Sequence, residues 1–129
     1  MQDIFQGVVW VALGSALGGP ARYFVSGLIG RHIGETFPWG TMVVNATGAL
    51  VIGLMAAAAA GDLFAMPVAW PFAVTGFIGS YTTVSSFSLQ TLALVHDGEI
   101  LRAGRNVILS LFFCLAAVAL GYAVGNAAL

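Results

Sequence analysis

Charge is what this chain has least of. Its 129 residues hold four Lys+Arg, all of them arginine, and five Asp+Glu, so 7% of the chain is charged and the formal net charge is −1. So sparse and balanced a set offers no basic patch for nucleic acid and no strongly charged face for a soluble partner. Cysteine is single, Cys114 in an apolar run, which excludes an internal disulfide and leaves the redox compartment open. At membrane depth there is no histidine, no carboxylate pair and no Cys/His metal set, and no glycine-rich phosphate loop precedes a basic residue. The chain is not expected to be an enzyme.

What is present is apolar. With 60% hydrophobic residues, 17 glycines and a mean hydropathy of +0.99, the chain is too apolar for a soluble domain of its size and reads as an integral membrane protein. Four spans follow, over residues 4–29, 40–60, 72–95 and 105–127, where a bilayer crossing needs roughly 20 residues. Residues 1–129 are then a single all-α membrane domain with short loops and both termini on one side. The start, Met1-Gln2-Asp3-Ile4-Phe5, has no basic n-region and leads to no obvious cleavage site, so the first span is expected to stay. Gly14-x-x-x-Gly18 in the first span and Gly121-x-x-x-Gly125 in the fourth are small-residue faces that let another helix approach closely. About 100 embedded residues are too few to enclose both a pore and a dry scaffold, so an oligomer with sites near its interface is expected.

The polar residues are concentrated. Thr75 to Thr91 lies in an apolar setting yet holds Ser80, Thr82, Thr83, Ser85, Ser86 and Ser88, with Gly76 and Gly79 just before them. Water cannot satisfy those hydroxyls in lipid, so a polar species should bind or pass there. Glycine and Ser/Thr also weaken a helix locally, which predicts that the third helix is broken near its middle with freed carbonyls facing inward. Elsewhere, Thr41 and Asn45 share one face of the second span, and Gly48 continues it. Asn45 reads either as interhelical glue or as a pore-lining donor with two N–H groups. Arg22 reads as a residue snorkelling to the headgroups or as an interior positive charge that attracts an anion. Asn106, Ser110 and Cys114 form one stripe on the fourth span.

These residues resemble the small four-helix fluoride channels known as the Fluc or CrcB family. The resemblance covers essentially the whole chain. It rests on Gly14 to Arg22, on Pro38-Trp39-Gly40-Thr41 followed by Asn45, and on Thr75-Gly76-Phe77-x-Gly79 leading to Thr82-Thr83-x-Ser85-x-Phe87-Ser88. It implies a dimer of two subunits inserted in opposite orientations in the cell membrane, with two fluoride pathways and a central structural Na+. It also implies that Gly79 and Thr82 give backbone carbonyls to that ion. A selective fluoride path must replace water with O–H and N–H donors and aromatic edges. The hydroxyls of Thr41, Ser85, Ser86, Ser88 and Ser110, the Asn45 amide, the Phe87 edge and Arg22 are the candidates for it.

The chain also departs from the family pattern. Where the third helix usually carries two Phe three apart, this chain has Val84 and only Phe87. Gln90 stands where an acidic residue is common, and Asn106 where an aromatic is often found. Arg31, Arg102 and Arg105 fall on one side of the membrane, a bias that places those loops in the cytoplasm and that a dual-topology homodimer should lack. A paralogous partner of opposite bias, or a non-conducting subunit, is therefore the alternative to an autonomous channel. A small multidrug-type exporter is the other, but its expected membrane-embedded carboxylate has no counterpart in these spans.

Overall fold

The structure, a computed structural model, describes residues 2–34, 36–60 and 69–128, with side chains from residue 4. Every regular element among them is helical: α1 (Gln2–Ile33), α2 (Trp39–Ala60), a π-helix (Pro71–Ile78) running straight into the single turn α3 (Gly79–Tyr81), α4 (Ser85–His96) and α5 (Ile100–Ala128). α1, α2 and α5 are long and apolar enough to cross a membrane. The stretch expected as the third span is helical in two pieces, as its hydroxyl-rich middle predicts, with residues 82–84 lying outside any helix. The expected loop Gly61 to Pro71, with Asp62 and Pro67, falls mostly on residues 61–68, outside the described residues, as does Glu35.

Two helices extend beyond the expected apolar spans: α1 runs on to Ile33, past 29, and α5 begins at Ile100, before 105. Arginine is a good helix former, so Arg31, Arg102 and Arg105 do not end helices; glycine does. Gly34, at φ +99°, closes α1 with its N–H on the Gly30 carbonyl at 2.9 Å. Gly98, at φ +77°, closes α4: its N–H reaches the Val95 carbonyl and the next N–H, Glu99, reaches the Leu94 carbonyl. That pair of bonds is a Schellman cap, and it lets α5 begin within the same turn.

Backbone approach organises the bundle. A Cβ on Gly14 or Gly18 would overlap carbonyl oxygens of Phe72 or Phe77, and one on Gly76 would meet the Val11 carbonyl, so α1 and the π-helix lie backbone to backbone. Gly53 and Gly121 do the same for α2 and α5, and Gly125 faces the Ala57 methyl. Both Gly-x-x-x-Gly faces therefore pack within this chain. The third span starts against α1 and, after its break, continues against α5. Large apolar side chains stay exposed along α1 (Phe5, Leu13, Leu17, Phe24) and α5 (Ile108, Leu111, Phe112, Leu115), a surface suited to lipid.

Candidate functional site

The break is held open by one side chain. Asn45 on α2 donates from Nδ2 to the Thr83 carbonyl at 2.8 Å and accepts the Thr83 N–H on Oδ1, also at 2.8 Å. Both polar groups of Thr83 are thereby withdrawn from the helix. In an unbroken helix the Thr83 N–H would serve the Gly79 carbonyl, and the Ser86 N–H would serve that of Thr82. Here the Ser86 N–H goes to Thr83 Oγ1 at 3.1 Å instead, capping the start of α4. Diverting these two donors frees the carbonyls of Gly79 and Thr82. The Thr82 carbonyl shares a trans peptide with the Thr83 N–H, so fixing that N–H on Asn45 turns the carbonyl the opposite way. Thr82 itself is extended, at φ −82° and ψ 159°.

Other polar groups anchor the approach to the break. Ser15 on α1 donates to the Gly76 carbonyl, and Ser80 donates back to the carbonyls of Ser15 and Phe77. Thr82 Oγ1 bonds the Ile78 carbonyl at 3.0 Å, the i−4 pattern by which a hydroxyl satisfies itself on its own helix. The Tyr81 hydroxyl lies 2.9 Å from Thr47 Oγ1 on α2.

Cavities flank the break on both sides. A groove of about 430 Å3 is lined by Asn45, Gly48, Gly79, Thr82, Val84 and Cys114. Gly79 and Val84 are exposed in it, Val84 at 76%. On the other side a pocket of about 240 Å3 brings together Arg22, Thr41, Ser86 and Gln90. Thr83 lines both. Ser26, Thr41 and Gln90 also line a cavity of about 580 Å3 that reaches Asp97, Glu99 and Arg102 at the helix ends. These shared polar walls set the two cavities side by side between that end of the bundle and the break. Thr41 is buried and Arg22 half-buried, and Arg22 forms no ion pair among the described residues. The Gln90 amide oxygen is buried beside these cavities without a hydrogen-bond partner.

The remaining candidates are distributed more widely. Asn106, 1% exposed, donates to Thr91 Oγ1 at 2.8 Å, and Thr91 donates to the Phe87 carbonyl at 2.7 Å. Ser110 completes the chain by donating to Asn106 Oδ1 at 3.4 Å. This seam ties α4 to α5, so Ser110 and Asn106 are buried between helices rather than set around the Arg22 pocket. Ser85 is exposed, with its hydroxyl 3.1 Å from Thr83 Oγ1; Ser88 is exposed as well, and Phe87 half-buried.

Comparison with known proteins decides the family. Residues 9–122 match the family described as CrcB-like protein, Camphor Resistance (CrcB). The chain belongs to the CrcB family. It is 61% identical over 128 residues to a protein of Rhodopseudomonas palustris (strain BisB18) named fluoride-specific ion channel FluC 2, covering 98% of each chain. It is 54% identical over 125 residues to one of the same name from Bradyrhizobium diazoefficiens, covering 95% of this chain and 91% of that one. A fluoride-specific ion channel FluC of Opitutus terrae is 50% identical over 116 residues, covering 88% of each.

In this CrcB chain, then, three sequence candidates (Arg22, Thr41, Ser86) meet around one pocket and three (Asn45, Gly79, Thr82) around another. In the sequence Thr83 is one hydroxyl among many, and nothing there sets Thr47, Tyr81 or Thr91 apart. The available signal was weak: a Thr directly after the break residue is well placed to cap the next helix.

Proposed function

We propose that this CrcB chain forms a fluoride-selective channel of the cell membrane, letting fluoride leave the cell passively and so limiting its toxicity. It is a channel subunit and not an enzyme. The observation that carries the reading is the chemistry of the inner pocket: the Arg22 guanidinium, the Thr41 and Ser86 hydroxyls and the Gln90 amide line it, without a carboxylate. A small, strongly hydrated anion leaves water only where O–H and N–H donors replace its shell. The acids Asp97 and Glu99 line the outer cavity, where the exposed Arg102 lies 3.8 Å from Glu99.

The groove at the break supports a dimer. Polar backbone exposed to hydrocarbon costs several kcal/mol for each unsatisfied group, so the freed Gly79 and Thr82 carbonyls need a protein cover. A second copy in the opposite orientation would supply it through a two-fold axis, which makes the contact self-complementary. Four carbonyls, Gly79 and Thr82 of each subunit, would then face one another, an oxygen-only set suited to a hard cation such as Na+. Bound there, Na+ would neutralise the converging carbonyl dipoles.

The second reading, a subunit that works only with a paralogue, is favoured by Val84, whose aliphatic side chain stands exposed in the groove where the family usually offers a ring. Growth of a fluoride-sensitive bacterium tests the primary reading: expression of this chain alone should restore growth in fluoride, and failure despite folded protein in the membrane would contradict it. Within the channel, Phe87→Ile removes the only ring of the motif. Efflux followed with a fluoride electrode should fall at least about tenfold, a loss of about 1.4 kcal/mol in barrier terms. Unchanged efflux would remove Phe87 from the path.

A further inference from the structure

We infer that Tyr81 and Thr47 are positioning residues that set the cation affinity of the break. The inference rests on the reading of the Gly79 and Thr82 carbonyls as cation ligands. Thr82 has a neighbour anchored to α2 on each side, Thr83 through Asn45 and Tyr81 through Thr47. Asn45 and Thr47, two residues apart on a helix, project toward opposite sides of it, so the break grips α2 from both. Gly48 makes the wrap possible. A Cβ there would overlap Thr82 Cγ2 and stand 3.4 Å from the Tyr81 ring, so the ring crosses α2 where the helix is bare.

The direction of the outer bond follows from the proton count. Thr47 Oγ1 is 2.8 Å from the Val43 carbonyl and 3.0 Å from that of Val44, and its one proton belongs to that pair. The Tyr81 hydroxyl is therefore the donor in the 2.9 Å contact with Thr47. Its ring is steadied from behind by Phe77, stacked at a centroid distance of 6.1 Å and 9° between planes. Asn45 fixes the Thr83 end of the Thr82 carbonyl's peptide, and Tyr81 fixes the residue before Thr82. With either anchor gone, the Thr82 carbonyl turns more freely and a bound cation loses a preset ligand.

Melting of the detergent-purified protein, measured against Na+ concentration with choline as the replacing cation, tests this. Tyr81→Phe and Thr47→Val should move the Na+ midpoint upward by about tenfold, the worth of one lost hydrogen bond. Because Na+ stabilises the folded state in proportion to ln(1 + [Na+]/Kd), the melting gap between these variants and the unaltered chain should widen as Na+ rises and level off at high Na+. Thr47→Ser keeps the acceptor and should retain the original midpoint. Thr91→Val, which weakens the α4–α5 seam away from the break, should lower melting at every Na+ concentration and leave the midpoint alone. Midpoints for Tyr81→Phe and Thr47→Val equal to that of the unaltered chain would overturn the inference. Melting of the unaltered chain that ignores Na+ would instead overturn the underlying cation reading, and the inference with it.

Discussion

Asn45→Asp is expected to lower fluoride efflux from proteoliposomes by about 100-fold or more, the largest loss predicted for any single substitution. A carboxylate at membrane depth costs roughly 2.5–3.5 kcal/mol, and if that cost falls on the passing anion as repulsion it corresponds to about that factor in rate. The structure adds a second cause. Asp retains an acceptor for the Thr83 N–H but has no N–H for the Thr83 carbonyl, so one half of the clamp becomes an oxygen facing an oxygen. Leaving that carbonyl unsatisfied costs about 1–3 kcal/mol, and the variant should melt earlier as well. Efflux with a fluoride electrode, beside a size-exclusion profile of the same preparation, checks both effects. Normal efflux from well-folded Asn45→Asp would remove Asn45 from the fluoride path.

Gly121→Ala should cost the fold more than any other single methyl on α5. The added Cβ would overlap the Leu50 carbonyl oxygen and stand 3.1 Å from the backbone nitrogen of Leu54. Neither is a side chain that can rotate away, and Gly53 brings α2 equally close to the Val118 carbonyl. α2 and α5 must separate, at a cost of about 1–3 kcal/mol or more. Gly104→Ala is the matched control on the same helix, because a Cβ there meets nothing within 4 Å. It should melt no earlier than the unaltered chain, since alanine is the better helix former by about 1 kcal/mol. Equal melting temperatures for the two variants would show that the α2–α5 contact has room for a methyl group.

The long apolar helices were legible because hydropathy and length are properties of a single stretch. The break was legible for the same reason, since Gly76, Gly79 and the hydroxyls from Ser80 to Ser88 crowd one segment. What could not be read were pairings across the bundle. Asn45 carried two readings in the sequence, and only the position of Thr83, 38 residues later, gives it a grip on the backbone. Asn106 stood out as a departure from the family pattern, yet its partner Thr91 becomes visible only when α4 is laid on α5. Tyr81 passed without notice because its hydroxyl matters only where Thr47 can receive it. The ends of α1 and α5 lie beyond the apolar runs for a local reason: Gly34 and Gly98 set the turns, and the charged residues between run and turn stay helical.

The central claim is that this chain alone conducts fluoride and little else. The most direct measurement is fluoride efflux from liposomes containing only the purified protein, with a proton ionophore and valinomycin to relieve charge build-up and chloride as the competing anion. Rapid fluoride efflux without chloride efflux is the predicted result, and it would show that Val84 is tolerated in a self-sufficient assembly. Absence of fluoride efflux from monodisperse, dimer-sized protein would contradict the claim, and activity regained only on co-expression with a paralogue would identify the chain as half of a mixed channel.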